Sequence, residues 1–134
     1  MEIRHKLNSY IPLVREIKYL EDKIAAIRDR QTSIRSSSDV SEVQALGGND
    51  DKIGDSIAKL IDLEQVYLDK VARATIQLRE IEKLIDNLTP TERLLMRAKY
   101  IDGEYFESIC GIIGYSYRQT MRIHECAMRK LQQQ

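Results

Sequence analysis

The stretch ESICGIIGYSYRQTMRI, residues 107–123, places Gly-Tyr-Ser between two segments with helical apolar spacing. Glycine readily adopts the left-handed conformation that ends a helix, and serine is among the best residues at a helix start. The stretch therefore predicts that one helix ends at Gly114 and that another begins directly behind Ser116. So short a connection holds two helices at a fixed angle and leaves the start of the second one at the surface.

The residues before this stretch predict another short helix. Thr89 can cap its start, Pro90 suits its first position, and Glu92 completes a capping box. Gly103 is expected to close it with a left-handed turn. Three short helices linked by glycine-containing turns are typical of a helix-turn-helix domain, which we place at residues 88–134.

The N-terminal part shows a different pattern, with apolar residues alternately three and four positions apart. This heptad spacing predicts a long helix from about Ser9 to about Arg35, with Ser9 as its cap and Pro12 in its first turn. The seam comprises Tyr10, Leu13, Ile17, Leu20, Ile24 and Ile27. Residues 36–50, rich in Ser, Asp and Gly, have no periodicity and are expected to form a loop.

A second seam predicts another long helix, from about Asp51 to about Asn87. Its members are Ile53, Ile57, Leu60, Tyr67, Val71, Ala74, Leu78, Ile81, Ile85 and Leu88. Glu64 interrupts the seam and is interpreted as a polar residue that sets the register. The fold class expected is therefore all-α: a long antiparallel, coiled-coil-like helical hairpin at residues 1–87, followed by the helix-turn-helix domain.

Self-association is expected, because the second long helix carries more apolar residues than one partner helix can cover. The additional residues are Ile61, Leu63, Leu68 and Ile76. A homo-oligomer, with a dimer favoured, would bury them. The alternative is a monomer in which the C-terminal helices cover them.

Composition narrows the function classes. The formal net charge is zero, from 21 Lys and Arg against 21 Asp and Glu, which argues against a protein that coats nucleic acid without specificity. Residues 88–134 carry a small positive excess. Two isolated cysteines fit free thiols in a reducing compartment. With no signal-peptide pattern and no apolar run of ~18 residues, we expect a soluble cytoplasmic protein that does not enter a membrane.

Residues 88–131 resemble the sigma-70 region 4 type of helix-turn-helix. Their sequence is LTPTERLLMRAKYIDGEYFESICGIIGYSYRQTMRIHECAMRKL. The matching positions are Glu92, Arg93, Tyr100, Gly103, Glu107, Ile109, Gly114, Tyr115, Ser116, Arg122, Ala127, Lys130 and Leu131. ArpU-type late transcription regulators are similar in this part. The whole chain resembles small phage and prophage proteins of Gram-positive bacteria, which share the Val43-Gln44 and Asp51-Lys52 features.

The chain departs from the region 4 pattern in its second short helix. Tyr105 stands where Thr or Ser usually caps that helix, and Cys110 occupies the small-residue place that is normally Ala. Gly111 and Ile112 replace polar surface residues. Glycine weakens a helix by ~1 kcal/mol relative to alanine, so the fold is expected to survive. We interpret Ile112 as an isolated apolar surface residue.

The resemblance implies a DNA-binding transcriptional regulator whose recognition helix, residues 116–132, enters the major groove of double-stranded DNA, with possible contact to RNA polymerase. If so, Arg118 can pair with guanine, Gln119 with adenine, and Ser116 with a phosphate. The candidate DNA-binding residues are Ser116, Tyr117, Arg118, Gln119, Met121 and Arg122. Thr120, Ile123, Ala127 and Leu131 would face the core.

Other functions were weighed against this one. A structural DNA-packaging adaptor, like a small terminase subunit, also combines a helix-turn-helix with an oligomerising helical segment, and a protein-only interaction module could keep the fold. No catalytic motif is present, so we expect neither an enzyme nor a cofactor. His124 lacks partners at metal-binding spacing and is interpreted as a packing residue.

Overall fold

The computed structural model describes residues 2–36 and 49–134, and these form α-helices without any strand. In chain order they are α1 (Glu2–Ser36), α2 (Asn49–Ile85), α3 (Pro90–Tyr100), α4 (Phe106–Ile113) and α5 (Tyr117–Gln132). The predicted all-α class is confirmed. Most of the predicted loop at 36–50, including Val43-Gln44, lies outside the described residues. No helix among the described residues is both long and apolar enough to span a membrane.

Helix α1 begins earlier than predicted, at Glu2 rather than near Ser9. Ser9 is not its cap: its hydroxyl donates to the Lys6 carbonyl at 3.0 Å, inside the helix. Pro12 also lies inside the helix, where proline costs ~3 kcal/mol. Fully burying a leucine returns ~1.5–3 kcal/mol, and Leu7 is completely buried. Tertiary packing of the first turns thus offsets the unfavourable proline.

The chain divides into two compact units, one of residues 1–14 with 73–134 and the other of residues 15–72. The first unit holds the larger core, formed by the start of α1, the end of α2 and helices α3–α5. Its most buried apolar residues are Leu7, Ile81, Ile85, Leu95, Met96, Ile109, Ala127 and Leu131. Residues from all five helices therefore share one core.

The second unit contains the rest of α1 and the first part of α2, which lie side by side. Three side-chain contacts join them: Lys70 to Glu16 (Nζ–Oε2 2.6 Å), Tyr67 to Glu21 (hydroxyl–Oε1 2.9 Å) and Arg28 to Glu64. Residue numbers rise along α1 as they fall along α2, so within this unit the helices are antiparallel. Exposed ion pairs stabilise such a contact by at most ~1 kcal/mol each. Burial of the apolar seam around Leu20 and Ile24 is therefore the main stabilising contribution.

Most ends of the three short helices lie where they were predicted. Thr89 caps α3 within a complete capping box that includes Glu92, as expected. Gly103 and Gly114 both have φ of 75°, the left-handed region that favours glycine. Tyr105 precedes α4 without any side-chain hydrogen bond to the helix start, consistent with its lack of a short polar side chain.

Candidate nucleic-acid interface

The turn before α5 is short and fully determined by local hydrogen bonds. The N–H groups of Gly114 and Tyr115 both donate to the Cys110 carbonyl, at 2.9 and 3.2 Å. Ser116 then has extended backbone angles, and its Oγ accepts from the N–H of Gln119 at 3.2 Å. The predicted serine cap is confirmed. Only three residues separate α4 from α5, so the start of α5 is held close to the end of α4.

One face of α5 is anchored in the core. Thr120, Ala127 and Leu131 are fully buried, and Ile123 is partly buried, as the spacing predicted. Met128 is also buried, at 4% exposure, which the simple one-turn spacing did not include. A helix with so many buried positions cannot rotate about its axis without breaking the core. The opposite face is therefore presented to solvent in a fixed orientation.

The candidate DNA-binding residues lie mostly on that presented face. Exposed side chains are those of Ser116, Tyr117, Arg118, Gln119 and Arg122, whereas Met121 is partly buried. The first turn of α5 contains no acidic residue. The positive end of the helix dipole and two arginines consequently share one exposed surface, which favours a negatively charged ligand.

Lys130, in contrast, is engaged within the protein. Its Nζ donates to Glu92 Oε1 at 2.7 Å, and the same carboxylate accepts from the Thr89 hydroxyl at 2.7 Å and from the Thr89 N–H at 3.2 Å. Burial acts to raise the pKa of Glu92, but the hydrogen bonds from Lys130 and Thr89 outweigh it and hold that pKa below its usual range. The same pairing raises the pKa of Lys130.

The Lys130–Glu92 ion pair joins the end of α5 to the start of α3. From the sequence, Lys130 had only a position in the region 4 pattern, and its role in this ion pair was not indicated. Glu92 was the sequence feature that could have indicated this ion pair, because a capping-box carboxylate next to a helical bundle is a natural partner for a lysine. The basic surface of α5 is thus concentrated at Arg118 and Arg122, near its start, with Arg129 exposed near its end.

His124 packs between helices, as the packing interpretation requires. Its Nε2 lies 2.7 Å from the Tyr100 hydroxyl, and Phe106 meets its ring edge-on with the ring centroids 5.2 Å apart. Burial, followed by the positive charges of Arg4 and Lys99, lowers the pKa of His124. The ring is therefore neutral at pH 7 and can accept the phenol hydrogen. Within the described part of the chain, no three His, Cys, Asp or Glu side chains are grouped as metal ligands would be.

Two further exposed residues lie close in sequence to the α5 start, outside the predicted set. Tyr115 lies in the turn itself, and Ile112 lies in the last turn of α4. Ile112 was expected to be an isolated apolar surface residue, and Tyr115 was assigned only a place in the family pattern. Both side chains are apolar enough to contact a sugar or a thymine methyl group. No periodicity in the sequence distinguished them from ordinary surface residues.

Comparison with protein families matches residues 34–132 to a family described as "Protein of unknown function (DUF1492)". The chain belongs to this family. The match includes all of α2–α5 and only the last residues of α1. Comparison with curated proteins finds no match, and comparison with solved structures finds none either.

Proposed function

We propose that this DUF1492 protein is a phage-type DNA-binding transcriptional regulator that reads double-stranded DNA with α5. The proposal takes α3–α5 as a helix-turn-helix domain following a helical hairpin, in the manner of sigma-70 region 4. The observation that carries it is the exposed first turn of α5, with Arg118 and Gln119 on the solvent side and Thr120 buried behind them.

The chemistry of this face suits base reading. Arginine pairs with guanine through two hydrogen bonds and glutamine does so with adenine, and each such pair discriminates against the wrong base by ~1–3 kcal/mol. Ser116 and the N-terminal N–H groups of the helix suit a backbone phosphate. Arg122 lies one turn after Arg118 and can reach a phosphate or a second base. The face thus has groups that position the protein on the phosphate backbone and groups that specify the base.

The small number of charges makes a single reading face weak. Because Lys130 is paired with Glu92, we do not count it among the basic groups that contact DNA. The N-terminal half of α5 then offers two arginines. Each phosphate contact contributes about −0.9 to the slope of log K against log salt, so we expect a shallow salt dependence for one copy. Two copies acting together raise the effective affinity without further contacts, which is the role we assign to a homodimer. Contact with RNA polymerase would be an additional function of the same domain.

The test is selection from a pool of random DNA duplexes, followed by fluorescence anisotropy with the enriched duplex. We expect the wild-type protein to enrich a discrete sequence and Arg118→Ala/Arg122→Ala to bind it at least tenfold more weakly, since one bidentate contact alone contributes ~1–3 kcal/mol. The control is Arg129→Ala, which removes one positive charge from the exposed far end of the same helix and is matched in charge to Arg118→Ala alone. Its effect should be below threefold.

The alternatives have distinct outcomes in this test. No enrichment, and no binding to any duplex at low salt, would refute DNA binding and leave the exposed face of α5 as a protein contact surface. Equal losses in the double variant and in Arg129→Ala would refute the specific use of the first turn. Light scattering on the same samples separates a dimer from a ring of many copies, the assembly expected of a packaging adaptor.

A further inference from the structure

Two largely apolar side chains near the start of α5 have no assigned contact in the proposed complex with DNA. Tyr117 is 51% exposed, and Met121 is partly buried. They lie four residues apart, which places them on one side of the helix about one turn from each other. We name this pair the apolar row. Thr120, directly before Met121, is fully buried, so packing into the core accounts for Thr120 but not for the exposed tyrosine.

The apolar row runs beside a basic row. Arg118 and Arg122 are both exposed, and each follows a member of the apolar row by one position. A step of one residue turns the side chain by about 100° and raises it by about 1.5 Å along the helix axis. The two rows are therefore neighbouring strips of one helix surface, and a ligand that contacts one of them can contact the other.

The charges of this surface indicate what kind of ligand meets both rows. The ion pairs among the described residues include neither Arg118 nor Arg122. The first turn of α5 contains no acidic residue, and a helix N-terminus carries a partial positive charge. A purely apolar partner would bury the arginines without a counter-charge, which is costly. The surface therefore fits a ligand that offers negative charge and apolar groups side by side.

The major groove of DNA has this combination. Thymine presents its O4 acceptor and its 5-methyl group there, and apolar side chains contact that methyl group. Guanine presents the O6 and N7 acceptors that pair with arginine, and the phosphates supply the negative charge. Successive bases of a strand are about 3.4 Å apart. Side chains from adjacent positions of α5 can thus reach adjacent base pairs.

We infer that Tyr117 and Met121 contact the 5-methyl group of a pyrimidine that adjoins the guanine paired with Arg118. The preferred duplex then carries a 5-methylated pyrimidine, thymine or 5-methylcytosine, beside that guanine. This inference rests on the proposed function and makes both residues determinants of its specificity. The two bases share the methyl group and differ at position 4, where thymine accepts a hydrogen bond and 5-methylcytosine donates one.

The first experiment compares duplexes that differ by the methyl group alone. In the duplex enriched by the wild-type protein, each thymine beside a guanine is replaced in turn by uracil, and Kd is measured by fluorescence anisotropy. We expect one replacement to weaken wild-type binding about fourfold, the effect of one buried methyl-sized group. Tyr117→Ser/Met121→Ala should bind the thymine and uracil duplexes with equal affinity. The ratio of the two Kd values is not changed by a loss of folded protein, so a merely structural role would not alter it.

A second set of duplexes distinguishes the two bases that carry the methyl group. Each cytosine beside a guanine is replaced in turn by 5-methylcytosine. Binding that tightens about fourfold identifies 5-methylcytosine as the base that is read, whereas an effect of uracil alone identifies thymine.

Two single variants serve as controls. Tyr117→Phe keeps the aromatic ring and should keep the wild-type ratio. Tyr105→Ser makes the tyrosine-to-serine change at a side chain that is 74% exposed before α4, and it should also keep the ratio. Circular dichroism must show every variant as helical as the wild type.

The outcomes separate the methyl contact from the proposed function. A wild-type protein that binds no duplex refutes the proposed function, and the methyl contact falls with it. A wild-type protein that binds a specific duplex but responds to neither uracil nor 5-methylcytosine keeps the proposed function and overturns the methyl contact. A wild-type ratio that persists in Tyr117→Ser/Met121→Ala, or one that Tyr105→Ser abolishes, overturns the assignment to the apolar row.

Discussion

Replacing Glu92 by alanine tests the junction between α3 and α5. The carboxylate is only 4% exposed, and it accepts two hydrogen bonds from Thr89 and one from Lys130. Its second oxygen, Oε2, is buried and has no hydrogen-bond partner among the residues that the structure describes. The side chain therefore combines favourable contacts with one unfavourable feature. Their relative size decides whether the substitution lowers or raises the free energy of unfolding.

The favourable contacts are the larger. Each hydrogen bond contributes ~0.5–1.5 kcal/mol, so the two from Thr89 together contribute about 2 kcal/mol. Removing the buried, unpartnered Oε2 returns about 1 kcal/mol. The loss of a partly exposed ion pair adds a small further amount. We expect Glu92→Ala to lower the free energy of unfolding by about 1–2 kcal/mol, which a capping residue also typically contributes.

Urea unfolding followed by circular dichroism measures this change, with Glu104→Gln as control because Glu104 is exposed in the same unit. Glu92→Gln isolates the charge. Because the pKa of Glu92 is lowered on folding, ionised Glu92 stabilises the fold above its unfolded pKa, and this stability is lost as pH falls through the folded pKa. The difference between wild type and Glu92→Gln should thus be present at pH 7 and should decrease progressively as the pH falls below the unfolded pKa of the carboxyl group. Equal stabilities at pH 7, or a difference unchanged at pH 3, would refute the reasoning.

Two further predictions concern the glycines in and directly after α4 and the partly buried His124. Gly114→Ala should lower the free energy of unfolding by about 1–2 kcal/mol because its φ of 75° is left-handed, while Gly111→Ala, inside the helix, should raise it by about 0.5–1 kcal/mol. Among the described residues, nothing beyond the adjoining backbone lies within 4 Å of either added Cβ, so thermal melting compares backbone effects alone. If both variants shift the melting temperature in the same direction, this account is wrong. Acidification from pH 7.5 to 5.5 should lower the urea midpoint, because the pKa of His124 is lowered on folding, so that the stability present above its unfolded pKa is lost as pH falls. His124→Phe should reduce this loss; an unchanged pH dependence would exclude His124 as its source.

The short helices show which features local sequence determines. The Thr89–Glu92 capping box, the Ser116 cap and the left-handed Gly114 were all predicted and are all observed. Each depends on hydrogen bonds or backbone conformations within about four residues, so nearby residue types suffice to specify it. The buried face of α5 was predicted for the same reason, from 3.6-residue spacing around Thr120.

Where distant parts of the chain meet, the sequence was less informative. The start of α1 was placed at Ser9 because serine before Pro12 is a familiar local signal, yet burial of Leu7 in a core shared with α2–α5 extends the helix to Glu2. Similarly, Lys130 was assigned only a position in the region 4 pattern, and only the fold brings it to Glu92, 38 positions away. Local sequence signals compete with tertiary contacts between residues that are far apart along the chain, and neighbouring residues do not indicate those contacts.

The sequence by itself therefore determined the helical class, the caps and turns of the C-terminal helices, and the periodic seams of the long ones, since all are set by spacing and by near neighbours. Tertiary structure decided which of those surfaces are covered. It placed Leu7 inside and left Leu68 in water, and it gave Lys130 an internal partner while leaving Arg118 exposed. Burial depends on which elements pack together, and packing involves residues far apart along the chain.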